Sequence, residues 1–322
     1  MSIIVKKYNS SYFEVWDNFI DTSNNGTIFN SRKFLNYHIN KKFVDHSLIF
    51  EKNNEVLAVL SAALVVQKNE RALISHPGAS FGSLVYKKSL SFKETIEITK
   101  LLKNYAKKNN FNKIFITFAP SVYSALNSDY FEYSLYCIGA EIQKLEMSSI
   151  VNFHQSYEVV KRNIKPSHLQ AARKAEKNGI RIKISKNYKD FYSILLDNLE
   201  LRHEVNPTHS LQELEKLVGI FSEQIILFSA YNNDKMIAGV VNFICNNNTV
   251  LAFYICQNYK FQKFRPLNLL FTHIFKWAIN KGFKHYDFGL FTDDGTPNYG
   301  LAKYKENYGA KGYFRKSLKV NI

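Results

Sequence analysis

Near the end of this 322-residue chain a lysine shares an apolar helical stripe. In Asn298-Tyr299-Gly300-Leu301-Ala302-Lys303-Tyr304-Lys305-Glu306-Asn307-Tyr308-Gly309, residues Leu301, Tyr304, Lys305 and Tyr308 fall at i, i+3, i+4 and i+7, the spacing that puts side chains on one helix face. The lysine therefore shares a buried or cleft-facing stripe. A long stem can equally snorkel past its neighbours to water. Just upstream, in His285-Tyr286-Asp287-Phe288-Gly289, strand alternation turns Asp287 away from Tyr286 and Phe288, as a base or as an ion-pair partner. Tyr254, within Phe253-Tyr254-Ile255, is either a proton relay or a core residue. His203 titrates near neutral pH and can take a proton from an attacking ammonium, or it simply ends a helix. Tyr299 and Lys303 flank the lysine stripe as substrate-positioning candidates.

The other chemistry-bearing groups are cationic. Arg173-Lys174-Ala175-Glu176-Lys177-Asn178-Gly179-Ile180 reads as a basic helix ended by a glycine suited to positive φ and leading into a strand. Arg173 and Lys177 stand at i, i+4, which clusters like charge and favours a nearby anion, with Arg173 and Lys174 as its ligands. Lys263 and Arg265, in Gln257-Asn258-Tyr259-Lys260-Phe261-Gln262-Lys263-Phe264-Arg265-Pro266, are a second candidate phosphate grip. Lysine and arginine outnumber acids 43 to 27, a net charge of +16, so anionic partners are expected: donor phosphates, RNA, a lipid-linked pyrophosphate or an acidic membrane face. No pattern calls for DNA.

Several classes are disfavoured. Cys137, Cys245 and Cys256 are far apart with no C-x-x-C, and His203-Glu204 followed by His209 misses the H-E-x-x-H spacing, so no metal is expected. The apolar runs Val56 to Val66 and Val250 to Cys256 are far below the roughly 20 residues of a membrane span. The start of the chain lacks a signal-peptide pattern, which predicts a cytoplasmic protein, in peripheral contact with the inner membrane face at most.

The elements that must position these groups come in two similar series. The first reads strand Ile3 to Tyr8, helices Tyr12 to Asp21 and Ser31 to Ile39 with Ser31 as N-cap, and strands Ser47 to Glu51, Val56 to Val66, Arg71 to Ser75 and Ser83 to Tyr86. Helix Phe92 to Lys108 and strand Lys113 to Phe118 follow. The second reads strand Ile180 to Ile184, helices Phe191 to Val205 and Leu211 to Ser222, and strands Ile225 to Tyr231, Ile237 to Cys245 and Thr249 to Gln257. Helix Leu267 to Lys281, strand Tyr286 to Phe288, helix Gly300 to Tyr308 and strand Tyr313 to Val320 complete it. An α/β (α+β) chain with an internal duplication of architecture is the expectation, divided as residues 1–155 and 156–322.

This order resembles two GNAT acyltransferase folds in tandem, the architecture of the FemAB-like family. The segment Arg173 to Ile180 is similar to that family's R-K-A-x-K-x-G-[VI] signature. Tyr286-Asp287-Phe288-Gly289 followed by Tyr304-Lys305-Glu306-Asn307-Tyr308-Gly309 is similar to its Tyr/Phe-Asp-Phe-Gly strand and [FY]-K-x-x-[FY]-G helix. The Gly-rich turn His76 to Ser83 is a weaker likeness in the first half. The resemblance implies two mostly antiparallel mixed sheets flanked by helices, and an acyltransferase that makes an amide on an amino group of a bacterial cell-envelope precursor, an amino sugar or muropeptide. It puts Lys305 in a cleft as oxyanion stabiliser, with acyl-CoA or aminoacyl-tRNA as donor. The segment preceding Leu267 lacks the glycines of the usual coenzyme A loop, and Pro266 removes a donor, which weakens coenzyme A; no coiled-coil arm of the tRNA users is seen either. The rival reading is a non-catalytic, basic RNA-binding or scaffold protein that keeps the fold.

Overall fold

The computed structural model describes residues 2–37, 44–153, 156–203 and 206–322, without the side chains of 201–203. In chain order the first elements are β1 (Ile4–Lys7), α1 (Phe13–Thr22), α2 (Arg32–Leu35), β2 (Val44–Asp45), β3 (Leu48–Lys52), β4 (Glu55–Leu60), β5 (Ala62–Gln67), β6 (Glu70–Ser75), β7 (Leu84–Tyr86), α3 (Phe92–Lys108), β8 (Lys113–Thr117), α4 (Tyr130–Cys137) and β9 (Ala140–Asn152). There follow α5 (Tyr157–Arg162), α6 (Pro166–Lys177), β10 (Ile180–Ser185), α7 (Tyr188–His203), α8 (Leu211–Ile220), β11 (Ile225–Asn232), β12 (Lys235–Ile244) and β13 (Thr249–Gln257). The chain closes with α9 (Pro266–Asn280), β14 (His285–Leu290), β15 (Thr292–Asp293), β16 (Thr296–Pro297), α10 (Tyr299–Glu306) and β17 (Lys311–Asn321).

Two compact units result: Met1–Met147 with Asp294–Thr296 and Phe314–Ile322, and Ser148–Asp293 with Pro297–Tyr313. The division differs from the expected 155/156 boundary: its first break falls inside β9, at 147/148, and the end of β17 belongs to the first unit. Within the first unit β17 pairs antiparallel with β8, Ser317 opposite Thr117 and Asn321 opposite Lys113. Leu318 and Val320 are fully buried in that unit's core with Ile98, Leu102, Ile114 and Ile116. Pairing between residues some 200 positions apart has no local sequence signal.

In the first unit the strand orders are β1-β3-β4-β7 and β17-β8-β6-β5-β2. The run Val56 to Val66, expected as one strand, is two strands in different sheets. It breaks at Ser61, whose fully buried hydroxyl donates to the Asn30 carbonyl at 3.3 Å. Helix α3 has the expected bounds, set by a Ser91–Glu94 capping box, and its buried face is Thr95, Ile98, Thr99, Leu102 and Ala106. Ser31 caps α2 as expected, its Oγ accepting from Phe34 N, although that helix ends at Leu35.

The second unit carries the order β10-β11-β12-β13-β14-β9, antiparallel except for β13 with β14. Helix α9 starts with Pro266 at its first turn, where no intrahelical N–H is needed. It buries Leu269, Leu270, Phe271, Ile274, Phe275 and Ala278 against the sheet. Phe271 meets Phe288 at 4.9 Å and Tyr308 at 5.0 Å, and Phe275 meets Tyr286 at 5.2 Å, all edge to face. Each such ring contributes about 1.5–3 kcal/mol by burial, so this aromatic packing rigidly seats β14 and the end of α10. The basic segment is two helices: α5 ends at Arg162 and Pro166 opens α6, which stops before Gly179 with φ +79.

Candidate active site

The second unit opens a wedge where its one parallel strand pair parts. β13 and β14 are in register at Thr249–His285, Val250–Tyr286 and Leu251–Asp287. Past Leu251, β13 bulges at Phe253, where its register with β12 shifts, and continues to Gln257, while β14 turns at Gly289, whose φ of +75 suits a residue without Cβ. Asp287 fixes the turn: its buried Oδ1 accepts from Gly289 N at 2.7 Å and from Ser148 Oγ at 2.6 Å. The turn aims the carbonyls of Gly289 and Leu290 at α10. Lys305 Nζ donates to both, at 2.8 and 2.6 Å.

Beside this lies a cavity of about 590 Å³. Ile255 and Gln257 of β13, Arg265 and Asn268 around the start of α9, and Leu301, Tyr304 and Lys305 of α10 line it. Asn198 of α7 fixes the strand end by donating to Gln257 O at 2.7 Å and accepting from Gln257 N at 3.0 Å. Arg265 holds a left-handed conformation, φ 55 and ψ 45, at the N-cap of α9. A non-glycine residue there is strained, and such strain is kept where it serves a site.

The electrostatics are one-sided. Among the described residues the lining holds two cations, Arg265 and Lys305, with the amides Asn198, Gln257, Gln262, Asn268 and Asn298, and no carboxylate. Lys305 is only 3% exposed. Burial lowers its pKa to about 8, with the Asp287 charge opposing. An ammonium has three N–H groups and two are used by carbonyls, which leaves one for an oxygen in the cavity. The Cys256 thiol also borders the cavity, but complete burial pushes its pKa up, so it is no nucleophile.

Residues 167–306 match the family described as "Acetyltransferase (GNAT) domain". That stretch is a GNAT acyltransferase domain. The crystal structure of FemX aligns with the full chain at a TM-score of 0.76 and 13% identity, covering 100% of this chain and 98% of FemX. A tandem GNAT protein from the clavulanic acid biosynthesis pathway aligns at 0.54 and 9% identity, over 99% of this chain and 98% of that one. The C-terminal domain (DUF2156) of a putative lysylphosphatidylglycerol synthetase from Agrobacterium fabrum aligns at 0.61 and 9%, over 98% and 92%. No curated protein matches the chain. The tandem GNAT architecture expected of the FemAB-like class is therefore present, and the family match over residues 167–306 supports the acyltransferase reading of that stretch.

Within the GNAT domain the candidates separate. Lys305 and Arg265 share the cavity, and Asp287 holds the Gly289 turn whose carbonyl Lys305 binds. Lys263 is exposed, with Nζ 5.4 Å from the Phe264 ring, outside the lining. Tyr299 is 79% exposed, and Lys303 points outward to Glu306 at 3.8 Å. Arg173 and Lys174 are exposed on α6, Arg173 Nε reaching back to Leu169 O at 3.5 Å. These five stand outside the cavity lining because helical periodicity turns them to the solvent side of their elements. His203 closes α7, and its side chain lies outside the described residues. Asn198 of α7 and Asn268 of α9 are polar lining residues that the sequence did not single out, because an isolated asparagine within a long helix looks like an ordinary position. His168 of α6 packs against the end of α10 from outside the lining, its ring 4.8 Å from Tyr308 and 6.0 Å from Tyr304.

Tyr254 points elsewhere. Its hydroxyl lies 2.8 Å from His209 Nδ1 and accepts from His209 N at 3.1 Å, and burial pushes its pKa up to about 12, with the His209 N–H opposing. Tyr192 donates to His209 O at 3.0 Å, so both phenols hold the turn that enters α8. Tyr254→Phe is expected to cost about 1–2 kcal/mol in urea unfolding while changing turnover less than about tenfold. A hundredfold loss of turnover at unchanged stability would return Tyr254 to the chemistry.

Proposed function

We propose that this protein forms an amide on an amino group of a cell-envelope precursor, an amino sugar or a muropeptide, using an acyl group carried on a phosphate-bearing donor. The observation that carries this reading is the spare N–H of buried Lys305 in a cavity with two cations and no carboxylate. The acceptor amine attacks the acyl carbonyl; the C–N bond forms, the carbonyl oxygen gains negative charge, and Lys305 donates a hydrogen bond to it. Collapse breaks the C–S or C–O bond to the carrier, and the proton lost by the amine leaves with the carrier's sulfur or oxygen. The Cys256 thiol is fully buried with Sγ directed to the Phe191 carbonyl, which favours direct transfer over a Cys256 acyl-enzyme.

Arg265 takes a donor phosphate by side chain, which suits both coenzyme A and the 3′ end of an aminoacyl-tRNA. Pro266 and the absence of glycine from 257–265 explain why side chains, rather than backbone N–H groups, would serve. The net charge of +16 suits an anionic or lipid-linked acceptor and the inner face of a bacterial membrane, and the likeness to FemX and to a lysylphosphatidylglycerol synthetase domain supports an envelope role. Among the described residues no helix is long and apolar enough to cross a membrane.

The test is a thermal-shift comparison of acyl-CoA mixtures with charged tRNA, followed by transfer assays on glucosamine and muropeptide acceptors. One donor class is expected to raise Tm by several degrees at saturating concentration. Stabilisation by neither, with no amide product, would sink the proposal.

A further inference from the structure

The first unit has a cavity of its own, about 670 Å³, that acyl transfer in the GNAT domain does not use. Its wall is aromatic and unusually open to water: Phe92 is 43% exposed, Tyr130 48% and Tyr133 57%. Tyr130 and Tyr133 stand at i, i+3 on α4 and so share a face. Phe92, at the start of α3, lies 5.2 Å from Tyr130 and 5.9 Å from Tyr133, inclined at 60° and 48°. The three rings form a cup rather than a closed stack. Left bare, such a cup costs hydration free energy, and contiguous exposed aromatic surface rimmed by polar groups marks a binding site.

The rim is polar and rigidly held. Asn24 clamps Leu126, donating to its carbonyl and accepting from its N–H, both at 2.8 Å. Its backbone bonds to Tyr86 O and Ala125 N, each at 2.8 Å, tie the same loop down. That loop delivers Asp129 to the cavity at the N-cap of α4, where its side chain makes no capping bond. Among the described residues the Asp129 carboxylate has neither a hydrogen bond nor an ion pair. Burial pushes the Tyr86 phenol up in pKa; the bonded Asn24 amide opposes, and the neighbouring Asp129 charge adds to the rise. Lys88, of opposite charge, lines the same cavity.

We propose that this cavity is a carbohydrate site that takes a hexopyranose ring. The weakly positive C–H face of a pyranose complements the negative π-face of an aromatic ring. Its hydroxyls both donate and accept, which a free carboxylate, an ammonium and a phenol placed around one platform can satisfy together. Asp129 and Lys88, both exposed on this cavity, offer an acceptor and a donor that a purely apolar ligand would leave unused, and a simple cation would meet Lys88. The fixed loop means that little ordering entropy is spent on binding. This site stands on the first unit alone and does not depend on the donor or acceptor assigned to the GNAT domain.

The experiment is saturation-transfer NMR on the full-length protein with methyl β-N-acetylglucosaminide, methyl β-glucoside and methyl β-galactoside, and with choline chloride as a cation control. At least one glycoside is expected to receive saturation, strongest on one face of its ring. Binding should weaken about tenfold or more in Tyr133→Ala and in Asp129→Asn, with unchanged circular dichroism, and persist in Cys137→Ser. No transfer to any glycoside overturns the proposal, as does binding that survives both substitutions. Transfer to choline alone also overturns it and assigns the cup to an ammonium.

Discussion

Lys305→Met is expected to lower turnover by about 10²–10³-fold, the usual cost of removing one oxyanion donor, with little change in KM for the donor. Methionine matches the length of the stem and keeps the apolar contacts of α10, so the change removes charge and hydrogen bonds rather than volume. Two pH profiles separate chemistry from folding. For the rate, the active form is the protonated lysine; with its pKa at about 8, turnover should fall above pH 8, and this basic limb should be absent from the residual activity of Lys305→Met. For stability the sign is the reverse. The unfolded lysine keeps its proton to about pH 10.5, so between pH 8 and 10.5 the unfolded state binds more protons and wild-type stability rises with pH. The rise amounts to about 3 kcal/mol at most and should vanish in the variant. Single-turnover rates and urea unfolding across pH 6–10.5 measure both. A variant that retains wild-type turnover would remove Lys305 from the chemistry.

The lysine was legible in sequence because its anomaly is local: one charge on a stripe of Leu301, Tyr304 and Tyr308. What buries it is partly non-local. The Gly289 turn, the Asp287–Ser148 bond and the packing of Phe271 on Tyr308 join residues up to 139 positions apart. Elements with a clean period, such as α3 and β13, have the bounds expected of them, since capping and alternation are written in consecutive residues. Strand β9 was not anticipated: its first residues, Ala140-Glu141-Ile142-Gln143-Lys144-Leu145, are mostly exposed, so burial does not enforce an alternation that periodicity could detect. The placement of β17 was equally invisible, because a strand's own residues say which face is apolar, not which sheet receives it. Of the cations among the described residues, only Arg265 and Lys305 reach the cavity. Net charge and helix position alone did not distinguish them from Arg173, Lys174, Lys263 and Lys303.

Arg265→Gly should separate function from stability. Glycine adopts φ 55 without the Cβ penalty, so relief of left-handed strain is expected to offset glycine's entropy cost and leave stability within about 1 kcal/mol of wild type, or raise it. The guanidinium, by contrast, is the exposed cation of a cavity with no carboxylate, and its charge-assisted bonds to a donor phosphate carry about 1.5–3 kcal/mol. KM for the donor should therefore rise about 10–100-fold with kcat nearly unchanged, because a phosphate remote from the reacting carbonyl is held alike in ground and transition states. Raising the salt concentration should weaken donor binding in the wild type and do so less in the variant, since one phosphate contact has been lost. The same glycine also loosens the entry to α9, so Arg265→Asn serves as the control: asparagine tolerates the left-handed region, keeps a polar side chain and lacks the charge. Equal loss of donor affinity in both variants assigns the effect to charge. Recovery in Arg265→Asn would assign it to the backbone of the α9 N-cap, and Arg265 would then be a positioning residue rather than the phosphate ligand.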